Sequence, residues 1–193
     1  MAAKGLNTTK QALNWDALME VARQEIRSGD RDLGLYIAIS LYTGLRCNEI
    51  LSLKMERFYK DDKMVDYLDI FQSKTQKSRR ITISLGLKTI LETCNRHSGY
   101  IVRGRTNRAV TKQWLNTKLK TVGKKHGITT GNEMSSHALR KTFARRVMDK
   151  NPGREEWALV LLSDIFGHSS TAMTRRYLGI RQAELDGAYN CLT

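Results

Sequence analysis

The chain has 193 residues, 40% of them hydrophobic, and 33 Lys and Arg against 19 Asp and Glu give it a formal net charge of +14 and a pI near 9.9. That length supports one well-buried core, and without Pro-rich or Ser/Gly-rich linkers a single domain over residues 1–193 is expected. The basic balance calls for a polyanion partner, while the lack of a long apolar run or of a signal-like apolar stretch in MAAKGLNTTK argues against a membrane span or export and for a soluble, cytoplasmic protein.

Helical signals dominate. Trp15, Leu18, Ala22 and Ile26 recur at helical spacing behind Asn14, a suitable N-cap, and a more apolar helix is expected from Asp32 to Tyr42 with Gly44 as its stop. A short third helix should start near Arg46 and carry Glu49, Ile50, Leu51 and Leu53. From Met64 to Leu85 the pattern changes to alternation, which predicts a β-hairpin with Lys74 to Lys77 at its tip. Helices resume over Leu87–Asn95 and Thr111–Lys125, the latter with Leu115, Leu119 and Val122 on one face and Lys112, Lys120 and Lys124 away from it. Ser135 or Ser136 can cap a helix starting at His137, whose stripe Leu139, Phe143, Val147 leaves His137, Arg140 and Ala144 on an adjoining face. Three more helices, Arg154–Phe166, Ser170–Tyr177 and Arg181–Asn190, complete a mainly α fold with a small antiparallel β-hairpin (α+β). Cys47, Cys94 and Cys191 have no CxxC spacing, so they are expected to be free thiols, with neither a disulfide framework nor a zinc site.

Against this frame a set of residues suits attack on a phosphodiester. Arg46 and Arg140 offer planar, permanently charged forks for the oxygens of a five-coordinate phosphorus. The helix start at His137 adds backbone N–H groups and the positive end of a dipole. Tyr177 is the candidate nucleophile; a phenol of reference pKa about 10 is ionised to only about one part in a thousand at neutral pH, so it needs a proton acceptor, for which His137 is the candidate. Lys74, on the hairpin tip, is placed to protonate the departing 5′ oxygen. Each residue has an ordinary structural reading as well: His137 as a surface histidine, His168 as a turn histidine, Tyr177 as a boundary aromatic, and Arg46 as a partner for Glu49 one turn on.

The motifs Thr43-Gly44-Leu45-Arg46 with Glu49, His137 with Arg140, and Gly167-His168 followed by Tyr177 occur in an order that resembles the catalytic domain of the tyrosine recombinases, the phage-integrase type of strand-exchange enzyme. Lys74 in QSKTQ sits where that family's hairpin lysine is expected, with Lys77 as a neighbouring rival. The resemblance implies cleavage and rejoining of DNA through a 3′-phosphotyrosyl link on Tyr177, with no metal, ATP or other cofactor. It makes Arg46 and Arg140 the phosphate clamp, His137 an acid/base, His168 a hydrogen-bonding partner of the phosphate and Glu49 a supporting residue. Lys77, Arg79, Lys112 and Lys141, in the basic surroundings of these motifs, are further DNA-contact candidates. The implied partners are double-stranded DNA at a core or attachment site and other protomers, a tetramer in synapsis, and no membrane. The family's separate N-terminal core-binding domain is not expected within these residues, so the chain is read as the catalytic portion of a longer integrase or as a naturally short member, and residues 178–193 are expected either to dock on a neighbouring protomer or to fold back. The competing functions are a type IB topoisomerase that relaxes DNA without a defined site, a non-catalytic DNA-binding regulator, and a helical RNA-binding domain.

Overall fold

The computed structural model describes residues 12–72, 77–104, 108–128 and 134–180. Among them, eight α-helices alternate with two small antiparallel ribbons: α1 (Trp15–Ser28), α2 (Arg31–Thr43), α3 (Cys47–Ser52), β1 (Tyr59–Lys60), β2 (Lys63–Met64), β3 (Tyr67–Gln72), β4 (Lys77–Thr82), α4 (Leu85–Cys94), α5 (Lys112–Lys125), α6 (Ser136–Asp149), α7 (Glu155–Phe166) and α8 (Thr171–Leu178). The mainly helical class and the hairpin read from the sequence are both present. The β3–β4 register pairs Tyr67 with Thr82 and Gln72 with Lys77, so Lys77 of the expected tip instead opens β4, while the rest of that tip, including Lys74, and the expected helix over 181–190 lie outside the described residues. The β1–β2 ribbon and a 3₁₀ turn over Met55–Phe58 were not expected from the sequence. They exist because Met55 and Phe58 are pulled fully into the core, a tertiary effect that no local pattern announces.

Local chemistry sets most boundaries. The Asn14 carboxamide oxygen accepts from Ala17 N at 2.8 Å, and Ser135 Oγ accepts from Ala138 N at 3.2 Å, each satisfying one otherwise orphaned first-turn donor. Gly44 ends α2 with φ +60°, and a Cβ there would lie 2.3 Å from the Phe143 ring, so both the backbone turn and the approach of α6 require glycine. Gly34 lets α2 lie on α1: a Cβ would meet the Ala22 carbonyl oxygen at 2.7 Å.

Helix α2 is the axis. Its residues Leu35 to Ile39 are completely buried, surrounded by α1, α4 and α6, and they anchor a core that reaches the inner face of the hairpin through Leu68 and Ile70. A second, smaller apolar cluster gathers Ala144, Leu162 and Phe166, with Phe143, Val147, Tyr177 and Leu178 half-buried around it. The helical face expected to hold His137, Arg140 and Ala144 together is therefore divided. His137 is exposed on the first turn of α6, while Arg140 and Ala144 are buried where α7 packs over that helix. The expected Leu139–Phe143–Val147 stripe is split likewise, Leu139 joining the main core and the other two the small cluster.

Candidate active site

Two arginines meet where α2, α6 and α7 converge. Arg140 is 6% exposed and donates through its guanidinium to the carbonyls of Gly44 and, at 3.5 Å, of Phe166. Arg46 donates to the same Phe166 carbonyl. These carbonyls follow the last turns of α2 and α7, where no intrahelical donor is available, so each guanidinium caps a helix C-terminus and is held on a fixed bearing. The Phe166 ring lies 3.9 Å below the Arg140 guanidinium carbon. Burial pushes the Arg140 guanidinium down to about 10, with Arg46 and Arg79 adding repulsion against the opposing effects of Tyr177 and Glu49. It stays protonated at neutral pH.

Glu49 ties this pair to the hairpin. One carboxylate oxygen accepts from the Arg46 backbone N at 2.6 Å and the other from the Arg46 guanidinium at 3.2 Å, so the ordinary one-turn ion pair foreseen for Arg46 does form. On the other side Arg79 of β4 approaches Glu49 to 3.8 Å. All three Arg79 guanidinium nitrogens are shielded from solvent and have no hydrogen-bond partner. Burial lowers the affinity of Arg79 for its proton, which Glu49 restores in part and Arg46 erodes. Two guanidiniums thus share one carboxylate with the Arg140 guanidinium close by, and a cluster carrying that excess charge favours a bound anion.

Tyr177 projects from α8 against this cluster. Its ring meets Phe166 edge-on at 5.5 Å and His168 at 5.6 Å, and its hydroxyl is buried without a hydrogen-bond partner. Burial raises its pKa above the usual phenol value, and the charges of Arg140 and then Arg46 pull it back. His168 follows Gly167, whose φ of +63° turns the chain out of α7. Its Nδ1 lies 2.9 Å from Thr174 Oγ1, and burial together with Arg140 and Arg46 presses the imidazole down to about 4, so it is neutral at physiological pH.

Arg46, Glu49, Arg140, His168 and Tyr177 are therefore brought together by one chain. His137 stands three residues before Arg140 on the exposed first turn of α6. Lys74 lies outside the described residues, and only the backbone of Lys77 is described. Lys112 opens α5, exposed and near enough to Cys47, the residue after Arg46, for its charge to favour the thiolate slightly. Lys141 is 4% exposed, with its Nζ 5.4 Å from the centre of the Tyr177 ring. Sequence reasoning passed over the Phe166 carbonyl, Ser163 and Thr174; the available signal was that Thr174 precedes Tyr177 by three, one helical turn on the same face.

A mainly helical domain that gathers three guanidiniums beside a shielded phenol defines a protein with an anion-binding cluster next to a tyrosine. Residues 11–184 match the model of the phage integrase family, so the chain belongs to that family, the tyrosine recombinases, enzymes that cleave and rejoin DNA in site-specific recombination. It is 28% identical over 178 residues to a probable integrase/recombinase, YoeC, of Bacillus subtilis (strain 168), covering 90% of this chain and 91% of the relative. The XerA recombinase crystal structure superposes with a TM-score of 0.68 at 19% identity over 98% of this chain, and XerH recombinase bound to a palindromic difH substrate, in a post-cleavage complex, with 0.66 at 20% over 97%. The chain spans 66% and 55% of those two proteins. Among the described residues no helix is long and apolar enough to cross a membrane.

Proposed function

We propose that Tyr177 attacks a DNA phosphodiester held by Arg46 and Arg140, forming a 3′-phosphotyrosyl link and releasing a 5′-hydroxyl that can attack a partner strand. The carrying observation is the single-chain assembly of a shielded phenol with three guanidiniums, two of which share the Glu49 carboxylate while Arg140 is held by helix-end carbonyls. Fixed positive groups stabilise charge that grows on non-bridging oxygens far better than groups that must reorganise, and two arginines already bound to helix-end carbonyls are fixed. Glu49 orients Arg46. Lys74 would protonate the leaving 5′ oxygen, and Lys77 and Lys112 would follow the DNA backbone. The partners are double-stranded DNA and further copies of the recombinase, four in a synapse.

The test offers the protein and its Tyr177→Phe variant a pool of nicked duplexes with randomised cores. A complex that survives SDS with the unaltered protein and vanishes in the variant is the expected result, and sequencing of the captured DNA gives the site. Relaxation of plasmid DNA with no preferred core among captured duplexes would instead indicate topoisomerase behaviour.

A further inference from the structure

Arg79 and Arg80 are neighbours on β4 with opposite surroundings. Arg80 faces outward, donates to the two Asp69 carboxylate oxygens at 3.0 and 3.1 Å and lies over the Tyr67 ring at 4.0 Å. Arg79 faces inward opposite buried Ile70, and its three guanidinium nitrogens are shielded from solvent without a hydrogen bond. Its Nη2 stops 3.8 Å from Glu49 Oε2, beyond hydrogen-bond distance but close enough for charge to act. A buried guanidinium that makes no hydrogen bond is unfavourable for folding, so a purely structural role leaves it unexplained.

Glu49 supplies the explanation. By holding the Arg46 backbone N at 2.6 Å and the Arg46 guanidinium at 3.2 Å, this carboxylate fixes the clamp, yet its negative charge also cancels much of the Arg46 charge that a phosphate would meet. Two clamp guanidiniums less one carboxylate leave one positive charge, and Arg79 raises the total to two. A phosphodiester carries one negative charge. Once the phenol has lost its proton and its oxygen has added to phosphorus, the five-coordinate group carries two, until the 5′ oxygen departs with a proton. Without Arg79 the clamp and Glu49 match the bound substrate; with it they match the group formed during reaction, which is where binding energy accelerates a step.

We propose that Arg79 is a positioning residue that acts through Glu49: it offsets the carboxylate, so that Glu49 orients Arg46 without weakening the positive field at the phosphate. The proposal rests on the recombinase reading, and it replaces the direct DNA contact expected of Arg79 with action from behind the clamp. The field of Arg79 reaches both clamp arginines, since it opposes the charge of Arg140 and is itself opposed by Arg46.

The test pairs two charge variants with two readouts. Arg79→Met should slow SDS-stable adduct formation on the nicked-duplex pool about tenfold while DNA affinity stays within about twofold, since one charge behind the clamp acts on the reacting phosphate and little on the many groups that hold a duplex. Arg79→Lys returns the charge without the planar fork and should recover most of the rate. Parallel losses of rate and affinity, an unaltered rate in Arg79→Met, or a lysine variant as slow as the methionine one would each overturn the proposal. The second readout needs no DNA. The proteins are titrated with sulfate, a dianion, and with dimethyl phosphate, which carries the single charge of a phosphodiester, while NMR follows the Arg46 and Arg140 guanidinium N–H signals. The unaltered protein should prefer sulfate about tenfold, and Arg79→Met should lose most of that preference. A preference that is absent from the unaltered protein, or that survives in the variant, overturns the role of Arg79. An unaltered protein that gives no adduct at all would count against the recombinase reading, while the two anions still decide the charge balance.

Discussion

Two arginine clusters on this molecule share ingredients and differ in balance. Near the N-terminus of α2, Arg96 and Arg103 surround Asp32. Arg96 pairs with one carboxylate oxygen and donates to the carbonyls of Tyr100 at 2.6 Å and Ile101 at 3.0 Å, while Arg103 grips Asp32 with its side chain at 3.1 and 3.2 Å and its backbone N at 3.0 Å. At the other site Arg46 and Arg79 share Glu49 with Arg140 nearby, and Arg79 has no hydrogen bond for any of its nitrogens. The first arrangement is nearly closed, with the Arg96 Nε alone among its guanidinium nitrogens left unbonded, and joins the 96–103 segment to α2. The second is open, with charge and donors left over, and its unused capacity is what a phosphate would take up. An arginine's meaning is thus read from what remains unpaired around it, since a buried cation left unpaired is costly in a purely structural role.

Mutations should separate the two clusters. Arg46→Ala or Arg140→Ala should slow adduct formation by about 10³-fold while leaving most salt-sensitive nonspecific DNA binding, because each removes a transition-state contact and only one of many basic groups. Equal loss of binding and cleavage would contradict the clamp. Asp32→Ala should cost about 3 kcal/mol in denaturant unfolding by stranding the shielded Arg96 charge, yet leave the cleavage rate of the folded fraction unchanged. Arg79→Met should do the reverse: adduct formation falls about tenfold, whereas stability holds or rises by about 1 kcal/mol as a buried guanidinium that has no hydrogen bond and only a 3.8 Å ion pair with Glu49 becomes apolar. A marked stability loss in Arg79→Met would make that arginine structural.

The smallest effect concerns pH. His168 has a folded pKa of about 4 against an ordinary 6.5, so the unfolded chain binds more protons between those values. Its contribution to stability is therefore complete above pH 6.5 and declines as the pH falls toward 4, and His168→Gln should flatten that part of the profile. Glu25 acts lower. Burial alone would raise its pKa, but His126 and Lys125 at 2.7 Å each and the Asp30 backbone at 2.8 Å bring it to about 2. Its stabilisation is complete above about pH 4.5 and is lost as the pH falls through 2, and Glu25→Gln should remove that lower limb.

Much of this architecture was legible because helix caps and alternation are local. Asn14, Gly44, Ser135 and Gly167 mark ends that the structure places within a residue or two of expectation. The motif order also foretold that Arg46, Arg140, His168 and Tyr177 would meet. What escaped depends on depth. Arg79 looked like one of several basic residues beside the hairpin tip, although its parity with Ile81 and Ile83 carried the signal that it faces inward; the register opposite buried Ile70 confirms that direction. Lys141 looked like a surface cation next to Arg140, but α8 covers it and the phenol packs over its ammonium. The separation of His137 from the buried Arg140 follows from α7 closing over one side of α6, and nothing in the α6 sequence encodes that.

The most direct measurement is peptide mapping by tandem mass spectrometry of the protein trapped on a nicked duplex. The account predicts that the nucleotide is attached to Tyr177 and to none of the other six of the chain's 7 tyrosines. A nucleotide on another residue, or an adduct that persists in Tyr177→Phe, would contradict it.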